Sequence, residues 1–329
     1  MIFTELMLNE YAKPLSETEN QQCKNAIRMV GDALKGLGMV DDGDIHQLHN
    51  EDGAYTLRMK SIQNNREIRL LVQGSYANNT NVRTQSDVDI AVIQEDVFRT
   101  EYRSASSSFP QSNADYGFIS SDYLSETFKD EVQKCLENKF GTDVERKNKS
   151  IKVHGNTYRK DADTVPCRRY RDYRRDFDKN PGNYIGGIFI VSDTGESIIN
   201  YPEQHILNGR IKNVSTHQYY KKMVRIMKKM RYLMEDSSCA KYIKAAQGVS
   251  SFMLESLLWN IEDGWYLSNC GKFRNVYTFK LMITKLKESK YQFLQYKEAN
   301  GIKMLCADND SYMKLCAFLD ELECFYDYV

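Results

Sequence analysis

No run of apolar residues in this 329-residue chain approaches the ~20 that a membrane-spanning helix needs, so no membrane partner is expected. The first residues, Met1-Ile2-Phe3-Thr4-Glu5, hold neither a basic stretch nor a long apolar segment, which argues against secretion and for a cytoplasmic protein. Cys-x-x-Cys pairs are missing, and the eight cysteines are scattered without histidines at zinc-ligand spacing, so they read as reduced thiols. His46, His49, His154, His205 and His217 stand apart from one another, each with a structural or surface role, so no histidine-based catalytic constellation is expected. Net charge is absent too. Forty-five basic and 45 acidic side chains cancel, which leaves only local runs, Arg168 to Arg175 and Lys221 to Arg231, to grip a phosphate tail or polyanion. No internal repeat or low-complexity tract interrupts the chain.

What the chain does hold is a Gly-Ser pair followed at short range by two aspartates. Leu71-Val72-Gln73-Gly74-Ser75-Tyr76 leads through a polar loop, Ala77 to Ser86, into Asp87-Val88-Asp89-Ile90-Ala91-Val92. Both ends read as strands. Side chains alternate along a strand, so Asp87 and Asp89 project from one face and Val88, Ile90 and Val92 form the apolar face opposite. Adjacent carboxylates repel unless a cation lies between them, and a hard ion such as Mg²⁺ suits two carboxylates together with substrate phosphates. Gly74 lets the backbone approach a phosphate closely, and the Ser75 hydroxyl and neighbouring N–H groups can donate to its oxygens. Two-metal transfer of a phosphoryl or nucleotidyl group usually takes a third carboxylate. Arg159-Lys160-Asp161-Ala162-Asp163-Thr164-Val165-Pro166 supplies it, with Asp163 preferred and Asp161 the alternative; Val165-Pro166 is where that strand should stop or become an edge.

Ser16 to Glu19 has the form of a capping box, and Ile27, Val30, Leu34 and Leu37 recur at helical spacing up to Gly38, which predicts one long N-terminal helix. Strands are expected at 68–73, 87–94, 150–153, 159–165 and 184–191, with a short partner at 197–200 and a helix at 124–140. Beyond Pro202 the pattern becomes helical, with candidates at 216–236, 242–262, 273–299 and 309–326. The chain therefore divides into an α+β catalytic half, 1–204, and a helical half, 205–329.

At the Gly74-Ser75 and Asp87-Val88-Asp89 motif the chain resembles the polymerase-β-like nucleotidyltransferase superfamily. More narrowly it resembles the bacterial cyclic GMP-AMP synthase/DncV-like nucleotidyltransferases, the CD-NTases of CBASS anti-phage signalling. The narrower likeness rests on Asp163-Thr164-Val165-Pro166; on Asn200 to His205 with Asn208-Gly209 and Lys212-Asn213; on Val224 to Lys228; and on Ser251 to Glu255. The resemblance implies a mixed central sheet with helices, a C-terminal helical domain and a long N-terminal helix bracing both. It implies that Asp87, Asp89 and Asp163 hold two Mg²⁺ or Mn²⁺ ions, and that Gln73, Gly74, Ser75, Lys228 and Ser251 bind the donor triphosphate. The substrates would be ATP, GTP, CTP or UTP, and the product a cyclic di- or trinucleotide acting on a separate effector protein in antiviral defence. Asn213 matches a position associated with pyrimidine choice, which implies a uridine-containing product such as cyclic UMP-AMP; its other reading is a helix cap. Tyr76, Tyr201 and Tyr277 are candidates to stack on a base. No Cys/His cluster corresponds to a zinc thumb, so duplex DNA is not expected as an activator. Two competing readings are a nucleotidyltransferase of the same fold that makes linear or modified products, and a nucleotide- or RNA-binding pseudoenzyme.

Overall fold

The computed structural model describes residues 2–50, 53–82, 87–121 and 125–328. Its elements run β1 (Ile2–Phe3), α1 (Glu5–Tyr11), α2 (Glu17–Leu34), β2 (Met39–Asp41), β3 (His46–Gln47), β4 (Tyr55–Ser61), β5 (Glu67–Gln73), α3 (Gly74–Ala77) and β6 (Val88–Glu101). Then come α4 (Ser125–Phe140), β7 (Val144–Arg146), β8 (Ile151–Val153), β9 (Ala162–Asp172), β10 (Ile185–Val191) and β11 (Ser197–Asn200). The remainder is α5 (Pro202–Ser215), α6 (Tyr219–Glu235), α7 (Ala240–Gln247), α8 (Ser251–Trp259), α9 (Asp263–Leu267), α10 (Arg274–Glu288), α11 (Asn309–Phe325) and β12 (Asp327–Tyr328). No helix among the described residues is long and apolar enough to cross a membrane.

These elements form two compact units. The first comprises Glu17–Ala77 and Asp87–Glu203 and is built on a sheet in the order β11-β10-β9-β6-β5-β4-β2, with β3 paired to β4 and β7-β8 attached to β9. Of its strand pairs among the described residues, only β6 with β9 is parallel. Val88, Ile90 and Val92 are buried on one face, and Gly31 of α2 packs against Leu57 and Leu70 on that same face. The opposite face carries Asp89 at one end. At the other end Arg69 reaches Glu203 at 2.5 Å, and Arg169 pairs with both Glu95 and Glu203. The basic run from Arg168 is thus largely β9: Arg169 is buried in this network and Arg174 is paired with Asp172 at 2.7 Å, so neither is held out for a polyanion.

The helix expected from the Ser16 capping box toward Gly38 is present as α2, and α1, which the sequence pattern did not announce, precedes it on the other side of Pro14; the two belong to different units. At Pro166 the second of the two expected outcomes holds: β9 does not stop there but is an edge on one side. On one side it follows β6 throughout; on the other it pairs with β8 up to Thr164 and with β10 from Arg168. Pro166 falls in the gap between those two ladders, where its missing N–H costs no bond.

The second unit takes the chain up to Ser16, residues 78–82 of the polar loop, and everything from Gln204. Its core gathers Phe3 and Leu8 with Met223, Met227, Leu254, Phe279, Phe318 and Phe325. Phe3 stacks on Tyr326 with centroids 5.4 Å apart, and β1 pairs in parallel with β12, so both ends of the chain are fastened to this unit. The helix expected over 242–262 is split into α7 and α8 about Gly248, and Ser250 caps α8 by accepting from the Met253 N–H at 3.0 Å.

At its centre is a buried charge. Glu255, 1% exposed, accepts from Lys228 at 2.6 Å and Thr80 at 2.7 Å and contacts His205 Nε2 at 2.8 Å. Burial pushes the Glu255 carboxyl up, but Lys228 and His205 outweigh it and hold the group well below the usual carboxylate range. His205 therefore has the structural role expected of it. A lowered carboxyl pKa contributes stability above the unfolded value, about 4.3, and loses it as pH falls toward the folded value. Glu255→Gln should therefore destabilise the protein by about 3–5 kcal/mol at neutral pH, because Lys228 is left buried without its counter-charge. The loss of stability below about pH 4.3 should also be shallower than in the parent; melting curves between pH 7 and 3 measure both.

Candidate active site

The register across four strands builds the site. Gln73 of β5 lies opposite Asp89 of β6, Asp89 opposite Asp163 of β9, and Asp163 opposite Lys152 of β8. Paired residues on adjacent strands are about 4.8 Å apart and share a face, so the sheet sets Gln73, Asp89, Asp163 and Lys152 in one row. Asp87 and Asp161 precede this row by two residues on their strands. Alternation puts them on the same face, and the backbones there are joined by the Val88 N–H donating to Asp161 O at 2.9 Å.

Gly74 has φ +69°, and a Cβ there would collide with the Asp89 carboxylate. Only glycine meets both conditions, which is why the turn from β5 into α3 can bring Ser75 next to the acids. Tyr76, by contrast, is 3% exposed with its hydroxyl bonded to Asn20, and Tyr201 is buried edge-on to Tyr170; both are packing residues rather than base platforms. Tyr277 is half exposed in the helical unit.

The structure separates Asp161 from Asp163. Asp161 accepts from the Gly155 N–H at 2.6 Å and from Lys152 at 2.6 Å, and these bonds, against the effect of burial, keep its pKa low. Asp163 has a buried Oδ1 with no hydrogen-bond partner among the described residues. Burial first, and the Asp87 charge next, push its pKa up. A buried, unpartnered carboxylate oxygen beside two further aspartates is the arrangement that a divalent cation would satisfy. The acids do not yet converge on one point: among the described residues no three metal-ligating side chains cluster at coordinating distance. Lys152 accounts for part of this. Its ammonium, 13% exposed, bonds Asp87 at 3.0 Å as well as Asp161, and these two acids outweigh burial to hold it protonated above its usual range. Lys152 escaped the sequence reading because a lone lysine in a three-residue strand gives no signal until the register sets it opposite Asp163.

The helical unit holds the other expected residues. Ser251 opens α8, half buried. Lys228 is 3% exposed, its ammonium engaged by Glu255 and, at 3.0 Å, by Thr80, so in this structure it anchors the loop after Gly74-Ser75 rather than presenting charge to a phosphate. Arg225 does the same, donating to Asn79 O at 2.5 Å. Half of the basic run on α6 is therefore interior: Lys221, Arg225 and Lys228 are buried, while Lys222, Lys229 and Arg231 are partly exposed. Asn213 is buried with both ends of its amide engaged, Nδ2 by Gln218 and Oδ1 by the Lys221 N–H at 3.2 Å, which makes it a cap for the first turn of α6.

Comparison with known proteins identifies the family. Residues 207–327 match the family described as the cGAS/DncV-like nucleotidyltransferase C-terminal helical domain. Over all 329 residues the chain is 43% identical to the cyclic GMP-AMP synthase CdnE03 of Staphylococcus schleiferi, covering 98% of that protein. Two solved structures superpose on nearly the whole chain. One is the Elizabethkingia meningoseptica CdnE cyclic dinucleotide synthase with GTP and Apcpp, at TM-score 0.70 and 29% identity over 98% of each chain. The other is the Rhodothermus marinus CdnE c-UMP-AMP synthase with Apcpp and Upnpp, at TM-score 0.72 and 26% identity over 98% of this chain and 96% of that one. With the carboxylate row, the glycine turn and full-length relatives in agreement, the chain belongs to the cGAS/DncV-like nucleotidyltransferases.

Proposed function

We propose that the protein joins two nucleoside triphosphates into a cyclic dinucleotide with release of pyrophosphate. The observation that carries this reading is the row Gln73, Asp89, Asp163 with Asp87 beside it, ending in a buried Asp163 oxygen that has no partner among the described residues. Asp87, Asp89 and Asp163 would hold divalent cations, and the residues present fit that charge. Bound there, such ions would neutralise the triphosphate and lower the pKa of the attacking hydroxyl. The chain's own contribution is positional. The Gly74 turn and Ser75 hold the donor phosphates against the acids, with Gln73 as a further contact. The acceptor's ribose hydroxyl oxygen then bonds to the donor α-phosphorus, the bond to the bridging oxygen of pyrophosphate breaks in line, and the hydroxyl proton leaves to solvent. A second such transfer closes the ring. The same chemistry supports the role in antiviral signalling that the family resemblance implies, with the product read by a separate effector.

Lys152 keeps the site stable without metal: its ammonium offsets the repulsion between Asp87 and the neighbouring acids. A cation binding at Asp87 must displace it.

Four expected outcomes follow from this reading. Purified protein given ATP, GTP, CTP, UTP and Mg²⁺ should form a phosphatase-resistant cyclic dinucleotide by mass spectrometry; linear oligomers would move it to the chain-extending enzymes of the same fold. Asp87→Asn with Asp89→Asn should cut pyrophosphate release by at least ~10³-fold with the melting temperature held or raised, since two repelling charges are removed. Lys152→Met should lower the Mg²⁺ concentration for half-maximal rate about fivefold, equivalent to ~1 kcal/mol for a partly exposed ion pair, and lower the melting temperature in EDTA. Asn213→Ala should cost about 1 kcal/mol of stability and leave the bases of the product unchanged, as a cap does; altered base composition would instead make Asn213 a base-reading residue.

A further inference from the structure

The helical unit contains a second concave site that the nucleotidyl-transfer reading does not use. A cavity of about 690 Å³ opens between α1, the start of α6 and the start of α10, a volume in the range of small-molecule sites. Lys13, Lys222, Arg225, Lys272 and Arg274 line it, and Glu5 is its one acidic residue. Glu5 does not offset them. Both of its carboxylate oxygens accept backbone N–H groups at the start of α10, from Asn275 at 3.1 Å and Val276 at 2.9 Å.

Lys222, Lys272 and Arg274 have no acidic partner among the described residues, whereas most lysines and arginines elsewhere in the molecule are paired. Arg274 and Lys222 lie over the Tyr219 ring, at 3.5 and 4.6 Å from its centroid, so an aromatic face anchors both cations without neutralising either. Arg274 Nε is screened from solvent and has no acceptor among the described residues. Burial, with Arg225 and Arg274 adding to it, holds the Lys222 ammonium below its usual pKa, as expected where cations are gathered without a counter-ion. Beside Lys272 and Arg274 in the chain, Phe273 and Tyr277 are 48% and 49% exposed, their rings edge to face with centroids 6.2 Å apart. Exposed rings next to clustered cations provide a stacking surface for a base alongside contacts for phosphates.

We propose that this cavity binds a nucleotide carrying at least two phosphate groups, the phosphates meeting Lys222, Lys272 and Arg274 and the base resting on Phe273 or Tyr277. The site lies wholly within the helical unit, and its ligand could be recognised whether or not the carboxylates are loaded with metal.

The test uses the full chain carrying Asp87→Asn and Asp89→Asn, so that turnover does not consume the probe, titrated calorimetrically with ADP and with pyrophosphate in EDTA. ADP should bind several-fold more tightly than pyrophosphate. Adding Lys222→Glu and Lys272→Glu should weaken one ADP-binding event at least tenfold, and Phe273→Ala with Tyr277→Ala should remove the preference for ADP over pyrophosphate. The unliganded melting temperature of each variant reports folding, and Lys222→Gln with Lys272→Gln replaces the charge reversal if that variant is unstable. ADP affinity unchanged by either pair of lysine substitutions would overturn the site. Equal affinity for pyrophosphate in the parent would overturn the nucleotide assignment. A single-stranded RNA that binds through these lysines and is not displaced by ADP would also overturn it, in favour of a polynucleotide.

Discussion

Carboxylates held side by side on a sheet repel one another, and much of the catalytic unit can be read as the means of keeping them there. Strand register sets Asp89 against Asp163, the parallel pairing of β6 with β9 carries Asp87 and Asp161 alongside, and Lys152 arrives from β8 to offset the charge. The apolar face behind them, with Ile90 and Val92 buried on the side where α2 packs, supplies the burial that offsets this electrostatic cost. A sheet is suited to the task because its register fixes side-chain separation to within an ångström while leaving the acids open to ligand.

The helical unit faces a different problem, a fully buried carboxylate. Glu255 is tolerated because a lysine, a histidine and a threonine hydroxyl converge on it, and removing any of them would leave the others exposed to a low-dielectric interior. Thr80 is one of those partners, and Asn79 is held by Arg225, so residues 79 and 80 of the polar loop are fastened by hydrogen bonds within the helical unit.

The chemistry was legible where it depended on local pattern. Asp-Val-Asp alternation, the need for glycine before Ser75 and the acid-bearing strand near residue 163 are short-range features, and the structure puts Asp87, Asp89 and Asp163 on the face that alternation requires. Charge roles were less legible. The basic runs on β9 and α6 look alike in sequence to a polyanion-binding surface, but their members mostly end on Glu95, Glu203, Glu255 and backbone carbonyls. Those partners lie far away along the chain, so no local reading could assign them.

By itself the sequence determined the reaction class, the candidate acids Asp87, Asp89, Asp161 and Asp163 and the change from mixed α/β to helical texture near Pro202, because each depends on residue type and periodicity over a few positions. Only the tertiary structure decided that Asp161 is engaged by Lys152 and Gly155 while an Asp163 oxygen has no partner among the described residues, that Lys152 stands opposite Asp163, that Lys228 is an internal counter-ion, and that uncompensated cations gather around a cavity beside α10. The reason is the same in every case: the energy of a charge is set by what surrounds it in space, and that is known only once strands from distant parts of the chain are in register and helices are packed.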